Sequence, residues 1–103
     1  MSEPPETMIR VIYRWRVVPS VAAAFELWWH QGTMDIRHAH PGAMGSLLLR
    51  SRQEPDLFVG VARWETERQL LEFRQQAPAM VFEGAELESM EVFDELDELT
   101  LGR

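Results

Sequence analysis

The sequence predicts an α+β fold with the element order β-α-β-β-α-β, and three observations carry that prediction. Residues 8–18 alternate between an apolar set and a mixed basic set, the period-two mark of a strand. Residues 21–39 repeat apolar side chains at helical spacing. Residues 57–73, LFVGVARWETERQLLEF, run from a strand into a helix across a tryptophan.

Taken in order, residues 1–7 are polar, contain Pro4-Pro5 and read as a loose leader, with residues 8–103 as a single domain. In the first strand Ile9, Val11, Tyr13, Trp15 and Val17 form one face. Arg10, Ile12, Arg14, Arg16 and Val18 form the other. Pro19 ends the strand and Ser20 is a plausible helix N-cap. The first helix then carries Val21, Phe25, Trp28, Gly32 and Ile36 as its apolar stripe, with Trp29 on the flank. The run His38-Ala39-His40-Pro41-Gly42 closes it.

Residues 43–52, centred on Leu47-Leu48-Leu49, read as the second strand, and Gln53-Glu54-Pro55-Asp56 turns into the third. In that third strand Leu57, Val59 and Val61 alternate with Phe58, Gly60, Ala62 and Trp64. The second set places two small residues between two large aromatic ones, which leaves room for a close approach by a backbone, another subunit or a ligand. Thr66 and Gln69 have capping-box spacing, Leu70, Phe73 and Ala77 continue the helical period, and Pro78 stops it. Residues 79–84 are a short turn or crossover, and residues 87–96 are the last strand. Residues 83–98 carry eight carboxylates in sixteen positions, which reads as a solvated edge strand and tail.

This order is the split βαβ, ferredoxin-like arrangement, with two helices on one face of a four-stranded antiparallel sheet. The helices are expected over Val11/Tyr13/Trp15 and Val59/Val61. The opposite face is then expected to present Ile12, Arg14, Arg16, Phe58, Gly60, Ala62 and Trp64, an aromatic patch that monomers rarely leave open. A homodimer, sheet against sheet around a cavity, is the expected answer.

Composition narrows the chemistry. The 103 residues contain no cysteine, which removes disulfides, thiolate metal sites and a cysteine nucleophile. All ten basic residues are arginine, so Schiff-base chemistry at a lysine is also excluded. A net charge of −7 argues against a nucleic-acid surface. No apolar run approaches the roughly 18 residues of a membrane span, and no signal-peptide pattern is present, so a cytoplasmic protein without a membrane partner is expected. No phosphate-binding loop, dinucleotide fingerprint or nucleophile elbow occurs. His38 and His40 resemble a short metal-ligand pair but lack further ligands at helpful spacing, so neither a metal nor a cofactor is expected.

The opening Arg14-Trp15-Arg16-Val17-Val18-Pro19, then Pro41-Gly42, Gly45, Leu48-Leu49-Arg50-Ser51 and the Trp64-Glu65-Thr66 junction, resemble the antibiotic-biosynthesis-monooxygenase-like family over residues 9–73. The resemblance implies a dimeric α+β barrel with its site inside. It also implies, for some members, cofactor-independent oxidation of polycyclic phenols or quinols by dioxygen, in which the substrate's own carbanion reacts with oxygen; for this chain the expected substrate is a small aromatic, phenolic or quinol one. Similar folds degrade haem with an asparagine on the first strand, the tryptophan ending the third strand and a histidine on the second helix. Only Trp64 carries over. The asparagine position falls at Tyr13 or Arg14 and the second helix has no histidine, which argues against haem degradation by that arrangement.

Trp64, Arg14 and His40 are therefore the candidate catalytic residues. Trp64 would stack on a flat substrate, Arg14 would stabilise a developing phenolate, and His40 would serve as general base at the cavity mouth. Ile12, Arg16, Phe58, Gly60, Ala62 and Trp28 are the expected substrate-binding residues. The competing pairing for Arg14 and Arg16 is with Glu88 or Glu91 on the last strand. Two other functions fit the same residues: a non-catalytic dimeric binding or structural module, and a haem-binding member of the fold.

Overall fold

A computed structural model describes residues 7–77 and 79–99. The elements are β1 (Ile9–Val17), a 3₁₀ turn (Pro19–Val21), α1 (Ala22–Ala39), β2 (Ala43–Arg50), β3 (Leu57–Trp64), α2 (Glu67–Gln76) and β4 (Ala85–Asp94). The strands form one antiparallel sheet in the order β2-β3-β1-β4, as the ferredoxin-like reading requires. Residues 79–84 form an irregular crossover, and β4 begins and ends two residues earlier than expected. Most of the leader, and Pro78, lie outside the described residues, although the Thr7 hydroxyl donates to Asp94 at 3.0 Å.

The two helix starts differ. Ser20 does not cap α1: the chain enters through the 3₁₀ turn, with Pro19 leading and the Val21 amide donating to the Val18 carbonyl at 3.0 Å. Proline's fixed φ suits that tight entry, and the helix proper then begins at Ala22 without a side-chain cap. Thr66, by contrast, caps α2 as its spacing indicates. Its hydroxyl accepts from the Gln69 amide at 3.2 Å and donates to the Gln69 side-chain oxygen at 3.1 Å.

Both helices lie on one face of the sheet, because the buried side chains of β1 meet theirs there. Ile9, Val11, Tyr13, Trp15 and Val17 are all buried, and they form one cluster with Phe25 of α1 and with Leu70 and Phe73 of α2. Its centre is aromatic. Phe25 sits edge-on to Trp15 at 5.3 Å, Phe58 at 5.5 Å and Phe82 at 5.6 Å between ring centroids. Such pairs add about 0.5–1.5 kcal/mol each beyond the area they bury.

The register corrects the expected phase of β3. Trp15 pairs with Phe58, Tyr13 with Gly60, Val11 with Ala62 and Ile9 with Trp64. Residues directly opposite in an antiparallel ladder point to the same side. Phe58, Gly60, Ala62 and Trp64 therefore face the helices, while Val59 and Val61 sit beside Arg14 and Ile12 on the uncovered face. Both alternating sets of β3 are apolar, so hydrophobicity alone did not separate inside from outside.

The uncovered face is apolar across β2 and β3, with Leu47, Leu49, Val59, Val61 and Ile12, and charged at its ends. Leu47 and Leu49 remain 54% and 50% exposed. At one end Glu95 lies between Arg10 at 2.7 Å and Arg63 at 2.7 Å. At the other, Arg16 meets Glu54, Asp56 and Glu88 at 3.1, 3.3 and 3.1 Å. Among the described residues no helix is long and apolar enough to cross a membrane.

Candidate functional site

On the helix-covered face the sheet floor dips where β3 carries Gly60 and Ala62. A partly enclosed cavity of about 160 Å³ occupies that dip, between the floor and the two helices. Trp28, Trp29, Thr33 and Ile36 of α1 line one side, and Trp64 with Phe73 of α2 another. Trp29, Thr33 and Ile36 stand at i, i+4 and i+7, so one side of the helix supplies them all. Gly60 is what brings α1 close. A Cβ at that position would stand 3.2 Å from Trp29 Nε1, tighter than side chains ordinarily tolerate. On β2 the ladder shifts between Ala43 and Gly45, where Gly45 takes φ +125°. That conformation suits glycine, and Ala43, Gly45 and Ser46 close the far wall.

Of the expected site residues, the fold brings Trp64, Gly60, Ala62 and Trp28 together around this cavity. Phe58 shares their face but is spent as packing, buried at 1% exposure beneath Phe25. Ile12, Arg14 and Arg16 lie on the opposite face of the sheet and do not reach the cavity, a direct consequence of the β3 phase. Arg16 is engaged with Glu88, as its competing reading proposed, whereas Arg14 is exposed without an ion pair among the described residues. His40 is also outside the lining. Its ring packs 5.1 Å from Phe73 and 6.1 Å from Trp64, supporting the cavity wall from behind. Among the described residues no cluster of three or more histidines or carboxylates is arranged to hold a metal ion.

Among the lining residues outside the expected set, Tyr13 and Trp29 bring polar atoms close to Gly60's strand. Tyr13 reads as core from its place in the β1 alternation, and it is buried at 8% exposure. It nevertheless lines the cavity, because its partner across the ladder is Gly60. Burial raises its phenol pKa, and the positive charge of Arg74 offsets part of that rise. Trp29 reads as a flank residue, and only the missing side chain at Gly60 lets it lean over the sheet. The signal for both was in the sequence as the Gly60/Ala62 gap, which could not be matched to a neighbour without the register.

Among solved structures, a haem-degrading protein of Mycobacterium tuberculosis, in a haem-free form, superposes with a TM-score of 0.73 at 18% identity, over 93% of this chain and 99% of that one. A proposed antibiotic biosynthesis monooxygenase of Caulobacter crescentus gives 0.67 at 20% identity, over 89% and 92%. A proposed monooxygenase of Shewanella loihica gives 0.67 at 18%, over 92% and 100%. At these identities the likeness is one of fold. No curated protein matches the chain. The model of the antibiotic biosynthesis monooxygenase family, however, matches residues 8–82, which span β1 to the crossover before β4 and include every cavity-lining residue, and the chain belongs to that family.

Proposed function

We propose that this protein is a cofactor-independent monooxygenase that oxidises a single-ring phenol or quinol with dioxygen in the cavity beneath α1. The cavity itself carries the reading. It is about 160 Å³, mostly apolar and walled by Trp28, Trp29 and Trp64. A dry apolar cavity of about 150 Å³ takes a benzene ring, so one aromatic ring fits and a polycycle does not fit whole. Trp64 and Trp28 offer ring faces and edges for a flat substrate, while Gly60 and Ala62 keep the floor low. In such chemistry the substrate supplies the electrons through its own carbanion, and the protein's part is to orient it and exclude water.

Haem does not fit these residues. The cavity has room for one ring where haem has four pyrroles, and none of the three histidines lines it.

The same reading includes a second copy of the chain over the uncovered face, where Leu47 and Leu49 stand half exposed beside Val59 and Val61. Native mass spectrometry at twice the chain mass is the expected result.

The functional test is oxygen uptake with a panel of single-ring phenols and hydroquinones, for the wild type and for Gly60→Val, which fills the floor. Uptake with product formation, lost in the folded Gly60→Val protein, supports the proposal. Saturable binding without uptake replaces it with a binding module, and neither binding nor uptake removes the cavity from consideration.

A further inference from the structure

The cavity's polar groups are hydroxyls, an indole N–H and guanidinium groups. No aspartate, glutamate or histidine lines it, while Tyr13, Trp29, Thr33, Ser46 and two arginines, Arg37 and Arg63, do. Thr33 and Ser46 both donate and accept, and Arg63 is occupied by Glu95 at 2.7 Å. Tyr13 and Trp29 stand over the floor at Gly60. Tyr13 is its partner across the ladder, and Trp29 Nε1 lies 3.2 Å from where its Cβ would be. Neither the Tyr13 hydroxyl nor the Trp29 indole N–H makes a hydrogen bond to another described residue. Neither is sealed from solvent either, since no buried side-chain polar atom among the described residues lacks a partner. Both residues line the cavity, and the polar atom of each is accessible and unspent.

The indole can only donate. The phenol remains protonated at neutral pH, because burial favours its uncharged form. A ring that entered with no oxygen would leave both donors facing apolar surface at a cost, whereas an acceptor oxygen would satisfy them.

We propose that Tyr13 and Trp29 are the substrate-binding residues that select a ring bearing a hydrogen-bond-accepting oxygen, a phenol or its enol or keto equivalent, over a hydrocarbon ring of the same size. This rests on the reading of the cavity as a ring-binding site. The role first expected for Arg14, recognition of the substrate oxygen, passes to Tyr13, its neighbour on the other side of β1.

The experiment is a titration of the wild type, Tyr13→Phe and Trp29→Phe with phenol and with toluene, followed by the indole N–H resonances of the four tryptophans. The two probes match in size and differ in the oxygen. Tyr13→Phe should weaken phenol about three- to tenfold, the loss of one hydrogen bond between uncharged groups, and leave toluene within about twofold. Trp29→Phe should act in the same direction and serves alone if Tyr13→Phe does not fold. The proposal is overturned if phenol and toluene respond alike to both substitutions, or if neither probe responds; ring binding itself would then stand. If neither probe binds the wild type at millimolar concentration, the cavity reading fails and the proposal with it.

Discussion

The two faces of this sheet come from the same strands but meet different demands. On the covered face every second residue of β1 is buried, and the aromatic cluster around Phe25 interlocks strands, helix and crossover. That packing is incomplete over Gly60 and Ala62, and the gap is the cavity. On the other face the side chains are larger where they pair across β2 and β3 and charged where β1 meets β4, and nothing among the described residues covers them. A gap within a tight core reads as a site for something small. An unfilled apolar surface reads as a site for something large. The difference separates chemistry from assembly: the covered face is suited to hold a ring, and the uncovered one to hold another sheet.

Phe25→Ala should break the covered face most severely. Phe25 is fully buried and touches four other aromatic rings, so truncation leaves a cavity that the neighbours cannot close. A loss of about 3–5 kcal/mol in urea unfolding is expected. A loss below about 1 kcal/mol would mean that the cluster is looser than its centroid distances indicate.

Leu47→Glu with Leu49→Glu addresses the other face. Both side chains are about half exposed, so the chain should fold with little change in its own packing. The assembled mass should fall to that of one chain, because paired sheets would bury like charges against each other. A double variant that remains at twice the chain mass would place the contact elsewhere.

How much of this was legible beforehand depends on whether a residue's neighbours are near in sequence. The element order, the helix stripe through Phe25 and the Thr66 cap are local patterns, and all were readable. The phase of β3 was not. Leu57–Trp64 is apolar on both sides, so its orientation is set by pairing Phe58 with Trp15, forty-three positions earlier in the chain. That single inversion moved Arg14 and Arg16 away from the site and Tyr13 into it. Arg16 shows the same limit in its ion pairs, which come from a loop and from β4 and were only half anticipated. Trp29 was hidden for a further reason: its role depends on an absence, the missing side chain at Gly60.

Thr66→Ala sharpens the comparison more gently. It removes the cap that starts α2 on the covered face, at a cost of about 1 kcal/mol. Because α2 carries Phe73 into the cavity wall, ring binding should weaken along with thermal stability, whereas the assembled mass should not change. A variant that altered the assembled mass would show that α2 and the uncovered face are coupled.

The smallest expected effect belongs to Glu95, which ties the chain after β4 to an end of the uncovered face. Hydrogen bonds from Arg63 and then Arg10 hold its carboxyl below the ordinary value of 4.5. A carboxylate with a lowered folded pKa stabilises the native state above its unfolded pKa, and that contribution disappears as pH falls through the folded value. The wild type should therefore lose this increment between pH 4.5 and the lowered pKa, while Glu95→Gln, which keeps the shape but not the charge, should lack that part of the acid slope. Thermal melts at pH 7 and pH 3.5 for the two proteins provide the comparison. At pH 7 the wild type should melt higher; at pH 3.5 the gap should narrow. The ion pair sits on the face expected to meet a second chain, so the narrowing should be larger in the assembled protein than in the Leu47/Leu49 double variant, where water screens it more fully. Equal narrowing in both would mean that the second chain leaves this end of the sheet open.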